Sequence, residues 1–166
     1  IGAGNMASSL VGGIIAKGFD PLNITVTDVN DSQLAQARSQ FQVNTSRDNL
    51  NACQKADVIV LAVKPQVMGD VVAPLRDIVA TRRPLIISIA AGITLAKLQG
   101  WLGQDTAIVR CMPNTPAAIG KGMMVTVANP NVKPEAAGFV RALLAARGFG
   151  ARGRGLQRHV LGAQQF

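Results

Sequence analysis

The first seven residues, Ile1-Gly2-Ala3-Gly4-Asn5-Met6-Ala7, constrain this chain more than any other stretch. An apolar residue runs directly into Gly-x-Gly-x-x-Ala, and an apolar-periodic segment comes next, which is the order of a strand, a tight turn and a helix. Gly2 permits the turn, Gly4 lets the backbone approach a pyrophosphate, and Ala7 lets the helix lie close on a sheet. The amides that open the helix would face phosphates, where the macrodipole favours negative charge. Gly2, Ala3, Gly4, Asn5, Met6 and Ala7 are therefore candidate cofactor-binding residues. Because the motif stands at residue 1, nearly all of the first strand is expected to lie outside the chain. Glycine turns without a ligand are common, so the motif gains its meaning from the rest of the chain.

Strand and helix signals then alternate. A helix over 5–17 places Met6, Leu10 and Ile14 toward a sheet and stops at Gly18. Gly12-Gly13 within it predicts close packing against a neighbour. A β-branched run over 24–28 reads as the second strand, followed by a helix over 31–40 and a brief strand over 42–44. Asp28 stands about twenty residues past the glycines, where such folds place the acid that accepts from an adenosine ribose; a turn or N-cap aspartate is the alternative. A carboxylate there repels a 2′-phosphate unless a cation or neutral donors lie near, so by the general rule it favours NAD over NADP.

Asn49 and Asn51 lie in a polar segment before the apolar run 57–63, which reads as a fully buried parallel strand. Ligands of open α/β sheets lie beyond the carboxyl ends of the strands, so Ala62, Val63, Lys64 and Pro65 fall on the binding edge. A helix over 66–79, with Val67, Val71, Leu75 and Ile78 inward, leads to a buried strand over 85–89. That strand breaks at Ala90-Ala91-Gly92, where small side chains leave room for something flat. Thr94 N-caps the next helix, which ends at Trp101, read as core. A strand over 107–110 runs into Met112-Pro113-Asn114-Thr115-Pro116. Two prolines fix the backbone around Asn114 and Thr115, presenting an amide and a hydroxyl at a strand's carboxyl end. A β-branched run over 122–127 pairs at the sheet edge in a different direction, and an amphipathic helix covers 133–146. The alternation predicts an α/β fold: a doubly wound, mainly parallel, Rossmann-like sheet in a single domain over 1–146.

Composition bears on what else the chain could be. Its 166 residues, 48% hydrophobic, suffice for one domain core. The formal charge of +8 would ordinarily suggest nucleic acid. However, residues 1–140 hold all 9 acids and 12 of the 17 Lys and Arg, a net of +3, and the last 26 residues hold the other five, all Arg, without any acid, so the excess is largely a property of the chain's end, with its Gly/Arg tail over 147–166. A nucleic-acid partner is not expected for the folded part. The tail reads as a truncated or out-of-frame end, or as a basic segment that binds a polyanion. No apolar stretch is long enough for a membrane helix. Cys53 and Cys111 lack metal-ligand or redox spacing and read as buried thiols in a reducing cytoplasm. His159, the only histidine, lies in the tail, so nothing supports glycosidase, protease or metal chemistry.

Four stretches together resemble one family. Residues 1–7, Leu61-Ala-Val-Lys-Pro-Gln66, Ser88-Ile-Ala-Ala-Gly-Ile-Thr94 and Arg110-Cys-Met-Pro-Asn-Thr-Pro116 are similar, in order and spacing, to pyrroline-5-carboxylate reductases. The resemblance runs to about residue 146. It implies hydride transfer from NADP(H) or NAD(H) to the C=N carbon of pyrroline-5-carboxylate, giving proline. It also implies that the 2–7 loop holds the pyrophosphate and that Asn49 touches the adenosine side. Ala62–Pro65 and Ala90–Gly92 would line the cofactor groove, and Asn114 and Thr115 would border nicotinamide and substrate. The family's C-terminal helical domain, which builds the homo-oligomer and the substrate pocket, has no counterpart here, and the fragment alone is expected to be inactive. Family members mostly carry small polar residues where Asp28 stands. The cofactor domain of a β-hydroxyacid-dehydrogenase-like enzyme and a non-catalytic dinucleotide-binding module remain alternatives.

Overall fold

The computed structural model describes residues 1–113 and 124–145. Thr25–Thr27 (β1) and Asn44–Ser46 (β2) pair in parallel. Val58–Leu61 (β3), Leu85–Ser88 (β4) and Ile108–Pro113 (β5) form a second parallel run, which Met124–Ala128 (β6) closes in antiparallel fashion. Between β1 and β3 the sheet is divided. Ile1 and Gly2 span the division as the stub of a strand. The Ile1 amine donates to Val60 O at 2.7 Å, the Ala62 amide to Ile1 O at 2.8 Å, and the Gly2 amide to Thr27 O at 2.7 Å. These are ladder bonds of a parallel strand to both neighbours.

The helices are Asn5–Ile15 (α1), Asp31–Phe41 (α2), Asn49–Cys53 (α3), Met68–Val72 (α4), Arg76–Arg82 (α5), Leu95–Leu102 (α6) and Pro134–Ala145 (α7). They cover both faces of the sheet. On one face Met68, Val72, Leu75, Val79, Leu98 and Leu102 pack on Ile59, Leu61, Ile86 and Ile108. On the other, Leu10, Val140 and Leu143 meet Ile87, Val109 and Cys111. Alternate residues of β4 therefore serve opposite cores, as the two-residue strand period requires. Val11, Leu34 and Ala37 close a smaller cluster over Val26. Each fully buried Leu or Ile contributes roughly 1.5–3 kcal/mol relative to exposure, so these two faces hold the strand ends in place. The expected doubly wound, mainly parallel sheet is the observed one, including the reversed direction of its last strand.

Several local expectations are corrected. Met6 is 44% exposed, while Ala7, Leu10 and Val11 are buried; Met6 lies one residue, about 100° of helix rotation, off the inward stripe. The expected helix over 66–79 is broken by 3₁₀ turns at Pro65–Val67 and Ala73–Leu75, each with a proline in its first positions. Leu75 faces the core as expected and Val71 and Ile78 pack partly buried against it, but the breaks centre the buried stripe on Met68, Val72, Leu75 and Val79 and leave Val67 44% exposed. Gln42 adopts a left-handed conformation that ends α2, which displaces the strand expected over 42–44 to Asn44–Ser46. Asn49 opens a short helix, capped by the Asp48 carboxylate accepting from the Asn51 amide at 3.0 Å. β3 alternates between buried and half-buried positions, because Val58 and Val60 border a cavity. Gly12 does mark a close approach, with its α-carbon facing the Phe41 ring of α2. Trp101 packs partly buried against the core. Residues 146–166 lie outside the described part.

Candidate functional site

The glycine turn and three strand tips share the carboxyl edge of the sheet. Gly2 has φ of +95°, and a Cβ there would stand 2.7 Å from the Ala62 carbonyl oxygen. The turn consequently presses directly on the tip of β3, which only glycine allows. Gly4 is the opposite case: it is exposed, and a Cβ there would meet no atom within 4 Å. Gly4 is also the N-cap of α1, with no side-chain cap and no acid in the first turn. Among the described residues, the opening amides of Asn5, Met6 and Ala7 therefore have no side-chain acceptor, in a helix of 11 residues whose dipole favours an anion. Both the open space and the uncapped amides fit a diphosphate.

Asp28 braces this turn. Its Oδ2 accepts from the Ala3 amide at 2.7 Å, and its Oδ1 from the Asn30 amide at 2.9 Å. The strand-end and turn readings of Asp28 thus coexist, since the same carboxylate ties the glycine turn to the start of α2. Asn49 lies at the start of α3, just past the carboxyl end of β2.

Beyond β3, Ala62 and Val63 are half-buried, and Lys64 and Pro65 are exposed. Lys64 has no salt bridge among the described residues. Beyond β4, Ala90 is buried while Ala91 and Gly92 are exposed or at the surface, and Gly92 has φ of +75° with open space where a Cβ would be. The Ile89 amide donates to Leu61 O at 3.1 Å, so the tips of β3 and β4 stand side by side. Thr94 caps α6 through the Lys97 amide at 3.2 Å. Asn114 and Thr115 lie outside the described residues.

Sequence reasoning did not single out Ser88 and Arg110 as site residues, yet they are cross-strand partners at this edge. Ser88 Oγ, Arg110 Nε and Thr27 Oγ1 are buried without a hydrogen-bond partner among the described residues. The available signal was a polar residue closing each apolar strand. Cys53 and Cys111 are free and buried, and burial pushes the Cys111 thiol up to about 12. Among the described residues no cluster of His, Cys, Asp and Glu could hold a metal, and no helix is long and apolar enough to cross a membrane.

A cavity of about 830 Å³ runs from the glycine turn, where Gly2, Ala7 and Ala62 border it, down between β1 and β3, lined there by Leu10, Ile14, Val26, Val58 and Phe139. This apolar space is where the sheet divides. It offers none of the strand-tip groups of β4, and the edge site is the better candidate on chemistry.

Comparison with known proteins agrees with this geometry. The family model described as NADP oxidoreductase, coenzyme F420-dependent, matches residues 1–92. A pyrroline-5-carboxylate reductase of Vibrio alginolyticus is 41% identical over 148 residues, covering 89% of this chain and 54% of the relative. The solved pyrroline-5-carboxylate reductase of Coxiella burnetii superposes with a TM-score of 0.85 at 38% identity, over 89% of this chain and 55% of that one. The Plasmodium falciparum enzyme, solved with NADP bound, gives 0.76 at 28% identity, over 89% and 53%. The chain spans about half the length of the curated relatives it matches.

Proposed function

The chain belongs to the NADP oxidoreductase, coenzyme F420-dependent, family, and we propose that it is the cofactor-binding part of an enzyme that reduces 1-pyrroline-5-carboxylate to proline. The observation that carries this reading is the uncapped start of α1, held by Gly2 against the β3 tip and by Asp28 from the other side. The Asn5, Met6 and Ala7 amides, with Gly2, Ala3 and Gly4, would hold the pyrophosphate. Asp28 and Asn49 would flank the adenosine. Ala62, Val63, Lys64 and Pro65 would line one side of the groove and Ala90, Ala91 and Gly92 the other, with Asn114 and Thr115 bordering ring and substrate.

Bound NADP(H) or NAD(H) supplies the hydride. A protonated imine already carries its proton and is electrophilic at carbon, so no general acid is required of these loops. Their task is to hold the donor and acceptor carbons about 3–3.5 Å apart and to exclude water. Small side chains at 90–92 let a flat ring lie against the backbone. We further propose that the whole enzyme works in the cytoplasm as a homo-oligomer joined through a C-terminal half.

The test has two parts. The chain is titrated with NADPH and NADH, and a form extended by a C-terminal half is assayed for pyrroline-5-carboxylate-dependent oxidation of the reduced cofactor. Saturable binding by the first and turnover by the second are expected. Binding without turnover by the extended form would leave only a dinucleotide-binding module, and no binding by folded protein would overturn the site itself.

A further inference from the structure

We propose that the outer edge of β6 is a pairing surface for a second copy of this chain, with the two β6 strands running antiparallel about a two-fold axis at Thr126. β6 ends the strand order β3-β4-β5-β6, and among the described residues no strand lies on its outer side. Its register with β5 is unbroken from Pro113 opposite Met124 to Val109 opposite Ala128. One step past that register the Asn129 amide donates to Ile108 O at 3.0 Å, and an antiparallel ladder alternates from such a bond. Val125 and Val127 therefore turn their amides and carbonyls toward β5, while Met124, Thr126 and Ala128 turn theirs outward. An outward row of this kind is a template for another strand.

The features that ordinarily blunt an edge are missing from this one. Met124–Ala128 reads Met-Val-Thr-Val-Ala, with no charge and no proline, and its register holds no bulge. By contrast β2 is a three-residue polar strand. Val125 is 44% exposed, and neither Val125 nor Val127 joins a core cluster among the described residues, whereas Ala128 on the opposite face packs with Val140 and Leu143 of α7. The strand is also complementary to itself. Antiparallel pairing about Thr126 sets this residue against its own copy and Met124 against Ala128 of the copy, so that each outward amide meets an outward carbonyl. On one face Val125 adjoins Val127 of the copy, and on the other the two threonines adjoin, both favourable cross-strand pairs. The contact uses the same edge twice and therefore closes at two copies. An edge of five residues buries far less than the roughly 1,200 Å² of a stable interface. The chain's charge of +8 also repels a copy. The dimer is consequently weak, and salt favours it.

The experiment follows the unaltered chain by sedimentation velocity from about 5 µM to about 500 µM, the range of a weak association, and by amide hydrogen exchange at both ends of that range. Monomer should give way to dimer as concentration rises, at lower concentration in moderate salt than in low salt. The Met124, Thr126 and Ala128 amides should exchange fast in the dilute sample and slowly in the concentrated one, while those of Val125 and Val127 stay slow in both. Thr126→Pro removes an outward amide without touching the β5 ladder and should leave a monomer. Thr126→Lys and Thr126→Glu each set like charges directly opposite on the axis and should each be monomeric. An equimolar mixture of these two should recover the dimer, which a damaged fold would not do. A monomer throughout the range, a dimer that survives in both charged variants, a mixture that stays monomeric, or exchange at 124, 126 and 128 independent of concentration overturns the inference. None of these outcomes bears on the cofactor site.

Discussion

The Ala3 amide donates to Asp28 Oδ2 at 2.7 Å across 25 residues of sequence. Ala3 is 2% exposed, so this bond holds the glycine turn at its least hydrated point. Asp28→Ala leaves the Ala3 and Asn30 amides without their acceptor, and an unsatisfied buried donor costs about 1–3 kcal/mol. Urea unfolding should show a loss in that range, and both dinucleotides should bind more weakly. A variant as stable as the parent, with unchanged affinity, would show that the brace does not position the turn.

Gly2 gives a sharper case. A methyl group there would lie 2.7 Å from the Ala62 oxygen at φ of +95°. The obstacle is backbone, which cannot swing aside, and a non-glycine residue in this region carries a further 1–3 kcal/mol or so of strain. Gly2→Ala should therefore cost about 3 kcal/mol or more, a large share of the roughly 5–15 kcal/mol of a typical domain. Gly4→Ala meets no atom within 4 Å. It should fold normally and weaken cofactor binding, which separates the turn's structural glycine from its ligand-facing one. Equal loss of stability in the two variants would contradict this division.

The contrast shows which features are legible in the sequence. The turn, Asp28 and the breaks after β3 and β4 depend on local chemistry, where residue type and spacing carry the information. The inward stripe over 66–79 does so only in part: Leu75, Val71 and Ile78 do meet the core, while the 3₁₀ turns containing Pro65 and Pro74 reset the helical period and leave Val67 outside. α3 is only five residues long, Asn-Leu-Asn-Ala-Cys, too short for an apolar period to announce it. β2 is Asn-Thr-Ser, paired on one side only with β1, and such an edge strand needs no apolar run.

The packing of α1 on α2 can be tested apart from the site. A Cβ at Gly12 would stand 3.1 Å from the Phe41 ring, tight against the end of a side chain that can give slightly. Gly12→Ala gains about 1 kcal/mol of helix propensity, which the displaced ring offsets, so its stability should stay near that of the parent. Gly12→Leu adds three more carbons against the Phe41 ring at a half-buried position and should cost about 1–3 kcal/mol, as overpacking does. The contact lies on the helix flank, away from the amides at its start. NADPH affinity of the folded fraction should then be unchanged in both variants. Lost affinity in a fully folded Gly12→Ala would show that the tilt of α1, and not its uncapped N-terminus alone, sets the grip on the diphosphate.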